Sequence, residues 1–517
     1  MLIPMNVLDF LERGAMVFPD RVAFVDEPTA GGGLGIITYK SFYSRVMSMA
    51  KALEDMGVKT GDRVAIFSPN ATKFAISLFA VSGFGRILVP INFRLNAQDV
   101  EYIVSHSGSS VLLVDPEFED LLTGVDVKEK IVLDGVSDAH LFGELSPTSD
   151  LPKSWTPDEN LTCSINYTSG TTARPKGVDV THRNMWLNAT MFGWHAGVNE
   201  DDVYLHTLPL FHANGWGMPY ALTGMGAKHI VLRKVDGEEI LNRIETFGVT
   251  LMCGAPAIWS LVLTAAANRR SRGLDIPGAG TVRIVVAGAP PPSKLIQRIT
   301  EELGWEFMQI YGLTETSPVL TFNKTRAEWS EKSSAQRSKL LSFAGVPIIG
   351  TRIRATENGE ILAKGNQVFS GYWNNASATD EAFEDGWFRT GDGGRMSGPY
   401  VVIEDRKKDV IISGGENVSS IEVEDAIFEI PGVLEVCVIG VPDETWGETV
   451  KALVVKSSDC TLSETQIITH CRDILAHYKC PTSVEFRVEL ARTATGKLQK
   501  FKVREPYWEG KSRGING

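Results

Sequence analysis

The sequence predicts an α/β protein in two unequal parts: a large N-terminal domain of several subdomains on mixed and parallel sheets, and a small α+β C-terminal domain. Three observations predict it. Short apolar runs alternate with longer helical patterns along most of the chain, the texture changes beyond about position 405, and 517 residues exceed the usual length of one domain.

The strand-like runs begin at Arg63, Ser110, Ile230, Leu251 and Arg283, while Ser41 to Met56 and Lys294 to Leu303 carry helical spacing. Phe74 to Gly85 is the longest apolar stretch; bounded by Lys73 and Arg86, it is too short to span a bilayer and reads as a buried helix. Past Asp405-Arg406-Lys407-Lys408-Asp409, where five charges adjoin, come an acidic helix from Ile421 to Phe428, a strand from Val433 to Val441, a helix from Gln466 to Ala476 and a basic tail. Domains of 1–405 and 406–517 are therefore expected.

Composition narrows the function classes. With 43% hydrophobic and 22% charged residues the chain has an ordinary globular balance, and a net charge of -12 spread along it disfavours a nucleic-acid partner. Anionic substrates must then be met by local cations and backbone amides. The six cysteines form no CxxC pair and no zinc spacing, which predicts buried thiols in a reducing, cytoplasmic setting. Met1-Leu-Ile-Pro meets Asp9, Glu12 and Arg13 without a long apolar run, so neither a secretory signal nor an integral membrane segment is expected.

The strongest chemical signal is the segment Tyr167 to Val178, which follows a strand-like stretch from Cys163. Thr168, Ser169, Gly170, Thr171 and Thr172 can turn backbone amides and hydroxyls toward a polyphosphate without steric obstruction, and Lys176 adds a mobile cation. A Walker A pattern is not present. This segment resembles the phosphate loop of the adenylate-forming superfamily, which includes acyl-CoA synthetases, peptide-synthetase adenylation domains and beetle luciferases. Further motifs of that superfamily follow in order: Gln309 to Pro318, Thr390-Gly-Asp392, Asp405-Arg406, Ile411 to Asn417 and Thr493 to Lys497. The resemblance thus spans nearly the whole chain.

The resemblance implies an acid:CoA ligase with ATP, Mg2+ and coenzyme A as co-reactants. Joining a carboxylate to the α-phosphorus of ATP requires in-line positioning and neutralisation of charge. By resemblance, Glu315 holds the metal, Thr314 contacts the α-phosphate, and Tyr311, Gly312 and the Gly288-Ala289 turn line the adenine slot. Asp392 and Arg406 take the ribose hydroxyls. Lys497 opposes the charge that grows between carboxylate and phosphate; the family commonly has proline where this chain has Ala491, which implies a less rigid approach to that lysine. For the second half-reaction the family rotates its small domain about a hinge, here Lys408, withdrawing Lys497 and bringing Ser413-Gly414-Gly415 to pass a pantetheine arm. Trp446-Gly-Glu448 reads as structural support. Homodimers are frequent in the superfamily.

The acyl group is read from Pro209 to Gly217. Amino-acid-activating relatives place an aspartate after the phenylalanine; this chain has His212, which disfavours an amino acid. His212-Ala-Asn-Gly-Trp216 resembles the HxNxW segment of fatty acyl-CoA synthetases, whose tryptophan gates the acyl tunnel, so His212, Trp216 and Gly217 are expected to bind the acid, and His212 is counted with Lys497, Thr314 and Glu315 as catalytic. Gly215, Gly217 and Gly224 remove bulk. Medium- to long-chain fatty acids are the first expectation, with aryl or branched acids as the alternative. A luciferase-like oxygenase and a carrier-loading module share the first half-reaction; the HxNxW match and the absence of an appended carrier domain favour the CoA ligase.

Overall fold

The computed structural model describes residues 3–27, 32–146, 150–153, 155, 157–168, 174–406, 409–414, 416–443, 446–457, 460–492 and 498–509. Two sheets form the large part. In one, the strands Val22–Val25, Lys228–Ile230, Val203–Leu205, Leu251–Gly254, Arg283–Val286 and Glu306–Gly312 run parallel, with antiparallel strands at the edges. In the other, Thr162–Thr168, Ile87–Ile91, Arg63–Phe67, Ser109–Val114 and Glu129–Val132 are parallel, and Lys176–Thr181 and Gly371–Tyr372 continue the sheet antiparallel. Central strands such as Ile87–Ile91 are buried throughout, as a sheet covered on both faces demands.

Helices cover those faces for reasons legible in their side chains. Tyr39–Asp55 is capped by Thr38, whose side chain accepts from the Ser41 amide, and buries Tyr39, Phe42, Val46, Met49, Ala50 and Leu53 along one stripe. Every residue of Thr72–Ser82 is buried, which explains why the longest apolar run of the sequence lies there. Among the described residues no helix is long and apolar enough to cross a membrane. All six cysteines are free thiols, five of them buried.

A smaller antiparallel sheet of Arg352–Ala355, Glu360–Lys364, Trp387–Ser397 and Tyr400–Arg406 leads into the C-terminal part. There Val433–Asp443 and Gly447–Lys456 form a long hairpin joined by Ile411–Ser413, Glu416–Val418 and Ser483–Phe486. Ser420–Phe428 and Glu464–Ile474 pack on it with a core of their own. The second helix begins two residues before its expected start because Ser463 and Gln466 form a capping box, and it ends where Leu475 turns extended. Between the two parts, Asp425 accepts from the Ser293 amide at 2.8 Å and from Lys339 Nζ at 2.7 Å.

Candidate active site

Ligand sites in parallel α/β sheets lie beyond the carboxyl ends of the strands, and Gly288, Tyr311, Gly312, Thr314 and Glu315 lie at or just past the carboxyl ends of Arg283–Val286 and Glu306–Gly312. Strand Thr162–Thr168 runs antiparallel to Lys176–Thr181, with Thr168 opposite Lys176, so the two strands that flank 169–173 are paired. The preceding residue is braced from helix Ala97–Ser107, where His106 Nδ1 lies 2.8 Å from the Tyr167 hydroxyl. Ser169, Gly170, Thr171, Thr172, Lys408, Gly415 and Lys497 lie outside the described residues.

Strand Glu306–Gly312 delivers Tyr311 and Gly312, and the short turn Thr314–Thr316 delivers Thr314 and Glu315. A Cβ on Gly312 would overlap the Pro318 carbonyl, so the chain folds back here only with glycine. Beyond strand Arg283–Val286, Gly288 has φ +88° with no atom within 4 Å of where a Cβ would sit; with half-buried Ala289 it edges open space. The structure brings three predicted residues together: Asp392 and Arg406 are cross-strand partners, Tyr311 donates to Asp392 Oδ2 at 2.7 Å, and Arg406 Nε stands 3.7 Å from Oδ1. Burial, with the Asp392 carboxylate adding to it, pushes the Tyr311 phenol well up, so it remains a donor.

Glu315 and Lys176 meet through a residue that the motifs did not indicate. Tyr372 donates to Glu315 Oε1 at 2.9 Å, and Lys176 Nζ stands 4.8 Å from the centroid of the same ring. Burial raises the Glu315 carboxyl above the ordinary range, opposed by the Tyr372 hydrogen bond and the Arg406 charge. Tyr372 sits on a two-residue strand whose role shows only once Gly371–Tyr372 pairs with Lys176–Thr181. Among the described residues no group of three or more His, Cys, Asp or Glu could hold a metal. The lone carboxylate of Glu315, which shares Tyr372 with Lys176, fits Mg2+, which is commonly held by one or two carboxylates plus substrate phosphates.

The segment from Ala213 to Gly217 is strained. Ala213 through Gly217 all have positive φ, including non-glycine Ala213, Asn214 and Trp216, a geometry that costs on the order of 1–3 kcal/mol per non-glycine residue. Its neighbours hold it: Asn214 Nδ2 donates to Ser164 Oγ at 3.1 Å and to the Tyr220 hydroxyl at 3.3 Å, and Asn188 Nδ2 donates to the Trp216 carbonyl at 2.9 Å. His212 is half-buried at the head of this turn. Trp216, only 3% exposed, belongs to a buried apolar cluster that includes Phe192, Met218, Leu222, Ile310 and Val319. The glycines do not clear a channel as expected: a Cβ on Gly224 would strike Phe10 of helix Leu8–Val17, on Gly217 the Asn188 amide, and on Gly215 Pro219. Their missing side chains admit other parts of the protein.

In the C-terminal part, Ser413 pairs with Glu416 and with Gly447, and Gly414 turns at φ +60° to donate to the Trp446 carbonyl at 3.0 Å. A Cβ on Gly414 would meet the Trp446 ring, so that tryptophan supports the turn. No hydrogen bond among the described residues carries Ser413 or Gly414 to Tyr311, Glu315 or Asp392. The motifs also passed over Lys500, whose Nζ is 2.8 Å from Glu424 Oε1 and which donates to Ser420; Ser420 in turn bonds Asp405 beside the charge cluster. A lysine in a basic tail gives no sequence signal of burial.

Comparison with known proteins matches residues 11–373 to an AMP-binding enzyme model and residues 422–497 to an AMP-binding enzyme C-terminal domain model. The chain is 35% identical to a 2-methylpropanoate–CoA ligase of Humulus lupulus, over 97% of this chain and 95% of that protein. It is 33% identical to a peroxisomal benzoate–CoA ligase of Arabidopsis thaliana, over 97% and 93%. It also superposes on an anthranilate CoA ligase in complex with anthranoyl-AMP with a TM-score of 0.86 at 25% identity, over 98% of each chain.

Proposed function

The chain belongs to the AMP-binding enzyme family and is an acid:CoA ligase acting through an acyl-adenylate, and from that premise we propose that its acid is a short branched or an aromatic carboxylate. The observation that carries this is that Trp216 is only 3% exposed and belongs to one buried apolar cluster with Phe192, Met218, Leu222, Ile310 and Val319. The acids in the names of two relatives, 2-methylpropanoate and benzoate, are of that size. This replaces the medium- to long-chain fatty acid expected from the HxNxW resemblance, because that segment carries its tryptophan into packing.

In the proposed mechanism, one acid oxygen attacks the α-phosphorus, pyrophosphate leaves, and the thiol of CoA then takes the acyl carbon from AMP. Tyr311, Gly312, Gly288 and Ala289 flank the adenine, and Asp392, held by Tyr311, accepts the ribose hydroxyls beside Arg406. Residues 168–172 and Lys176 take the phosphates, with Thr314 at the α-phosphate. Glu315 would hold Mg2+, which when bound would neutralise phosphate charge. Lys497 steadies the charge that develops during adenylation. The parts 1–405 and 406–517 turn about Lys408, so that Ser413, Gly414 and Gly415 replace Lys497 for thiol entry. His212 and Trp216 border the acyl group, with Gly217 behind them. A screen of acids by pyrophosphate release, with and without CoA, tests the proposal. Preference for 2-methylpropanoate-sized or aryl acids supports it, and faster turnover of acids of twelve or more carbons, at about tenfold or beyond, refutes it.

A further inference from the structure

The contacts of Tyr372 go beyond filling space. Its backbone is clamped: the amide donates to Thr379 Oγ1 at 2.9 Å, the Phe369 ring stands edge-on at 5.0 Å, and the Phe369 amide donates to the Glu315 carbonyl at 2.8 Å. The following residue, Trp373, donates to the Gly177 carbonyl at 2.8 Å, tying the same strand to the base of the phosphate loop. On this fixed ring the Lys176 ammonium lies over the face, and the Glu315 carboxylate accepts from the hydroxyl at the edge. No ion pair joins Lys176 to Glu315 among the described residues.

We infer that Tyr372 is a positioning residue for adenylation, whose ring face carries Lys176 and whose hydroxyl aims Glu315, so that the two opposite charges stay apart and face the entering nucleotide. Both side chains contact one ring; were that ring absent, the lysine and the glutamate could pair, and ATP would have to break that pair before its phosphates met the lysine. A cation on an aromatic face keeps its ammonium protons unpaired by any carboxylate, which leaves them to meet the phosphates. The inference rests on the ligase reading for its nucleotide and metal; its contacts belong to the chain alone.

The test uses the full chain with Tyr372→Phe and Tyr372→Leu. Two quantities are read: the ATP Kd by calorimetry with EDTA present, and the Mg2+ concentration giving half-maximal pyrophosphate exchange at saturating ATP. Tyr372→Phe keeps the ring and drops the hydroxyl, so the metal-free Kd stays within about twofold, as a retained ring face requires. Its Mg2+ midpoint rises roughly 3- to 10-fold, the size of one hydrogen bond. Tyr372→Leu also loses the ring, and its metal-free Kd rises roughly 3- to 10-fold. Thermal unfolding checks that both variants are folded. A filling role alone predicts lower exchange with an unchanged Mg2+ midpoint for Tyr372→Phe, or a Kd for Tyr372→Leu equal to that of the wild type, and either result overturns the inference. Wild-type protein that bound ATP yet exchanged no pyrophosphate with any acid would count against the ligase reading, while the EDTA titration of the leucine variant still decides the role of Tyr372.

Discussion

Replacing Asp392 with asparagine isolates the nucleotide contact on which the proposed mechanism most depends. The carboxylate is nearly buried, with one oxygen taken by the Tyr311 hydroxyl at 2.7 Å and the other 3.7 Å from Arg406. Asparagine keeps the shape, and its carbonyl still accepts from Tyr311, so the fold is retained. The charge is lost. Hydrogen bonds to a charged acceptor contribute about 1.5–3 kcal/mol and neutral ones about 0.5–1.5. Two ribose hydroxyls therefore lose roughly 2–3 kcal/mol between them, a roughly 30- to 150-fold weaker ATP Kd. Arg406 is 39% exposed, so water screens its pair with Asp392 and its release adds at most about 1 kcal/mol. Calorimetric titration with ATP and with 2′-deoxyATP measures both terms: the variant should bind the two nucleotides with nearly the same affinity, whereas the wild type should favour ATP. An Asp392→Asn Kd within about threefold of the wild type, less than one neutral hydrogen bond, refutes the assignment of the ribose to this carboxylate.

Lys497→Ala should cut pyrophosphate exchange by roughly 100-fold or more, the scale of removing one preorganised charge, while thioester formation from supplied acyl-adenylate persists; equal loss of both contradicts its role. Lys408→Pro should do the converse, and unchanged overall turnover removes the hinge. Trp216→Ala should shift relative kcat/KM toward bulkier acids and lower stability by about 3–5 kcal/mol, the usual cost of emptying a packed aromatic site; a flat acid profile with the same loss of stability leaves the residue as packing only. Burial holds His182 down at about 4, His206 at about 3 and His229 well below the ordinary value, so all three are neutral in the folded chain. The unfolded chain protonates each near pH 6.5, so this stability is intact above about 6.5 and is lost as pH falls from there toward 4, at up to about 1.4 kcal/mol per pH unit per histidine. Urea midpoints that stay level from about pH 7 to 5 would contradict it.

What the sequence determined by itself was whatever depends on local chain chemistry. The hydroxyl-rich loop after a strand, the ordered motifs from Gln309 to Lys497, the alternation of parallel strands with helices and the separate C-terminal sheet are all properties of neighbouring residues. The tertiary structure decided what depends on distant chain segments meeting. Tyr372 joins Glu315 to Lys176 only because a two-residue strand adds to the edge of the sheet beside Lys176–Thr181. Lys500 reads as one more charge in a basic tail until folding encloses it against Glu424. The same motif letters at Trp216 suit an open tunnel or a filled core, and the left-handed turn from Ala213 to Gly217 places the ring in packing. Spacing along a chain fixes which groups are near one another locally, but the volume left around them depends on side chains from strands a hundred residues away.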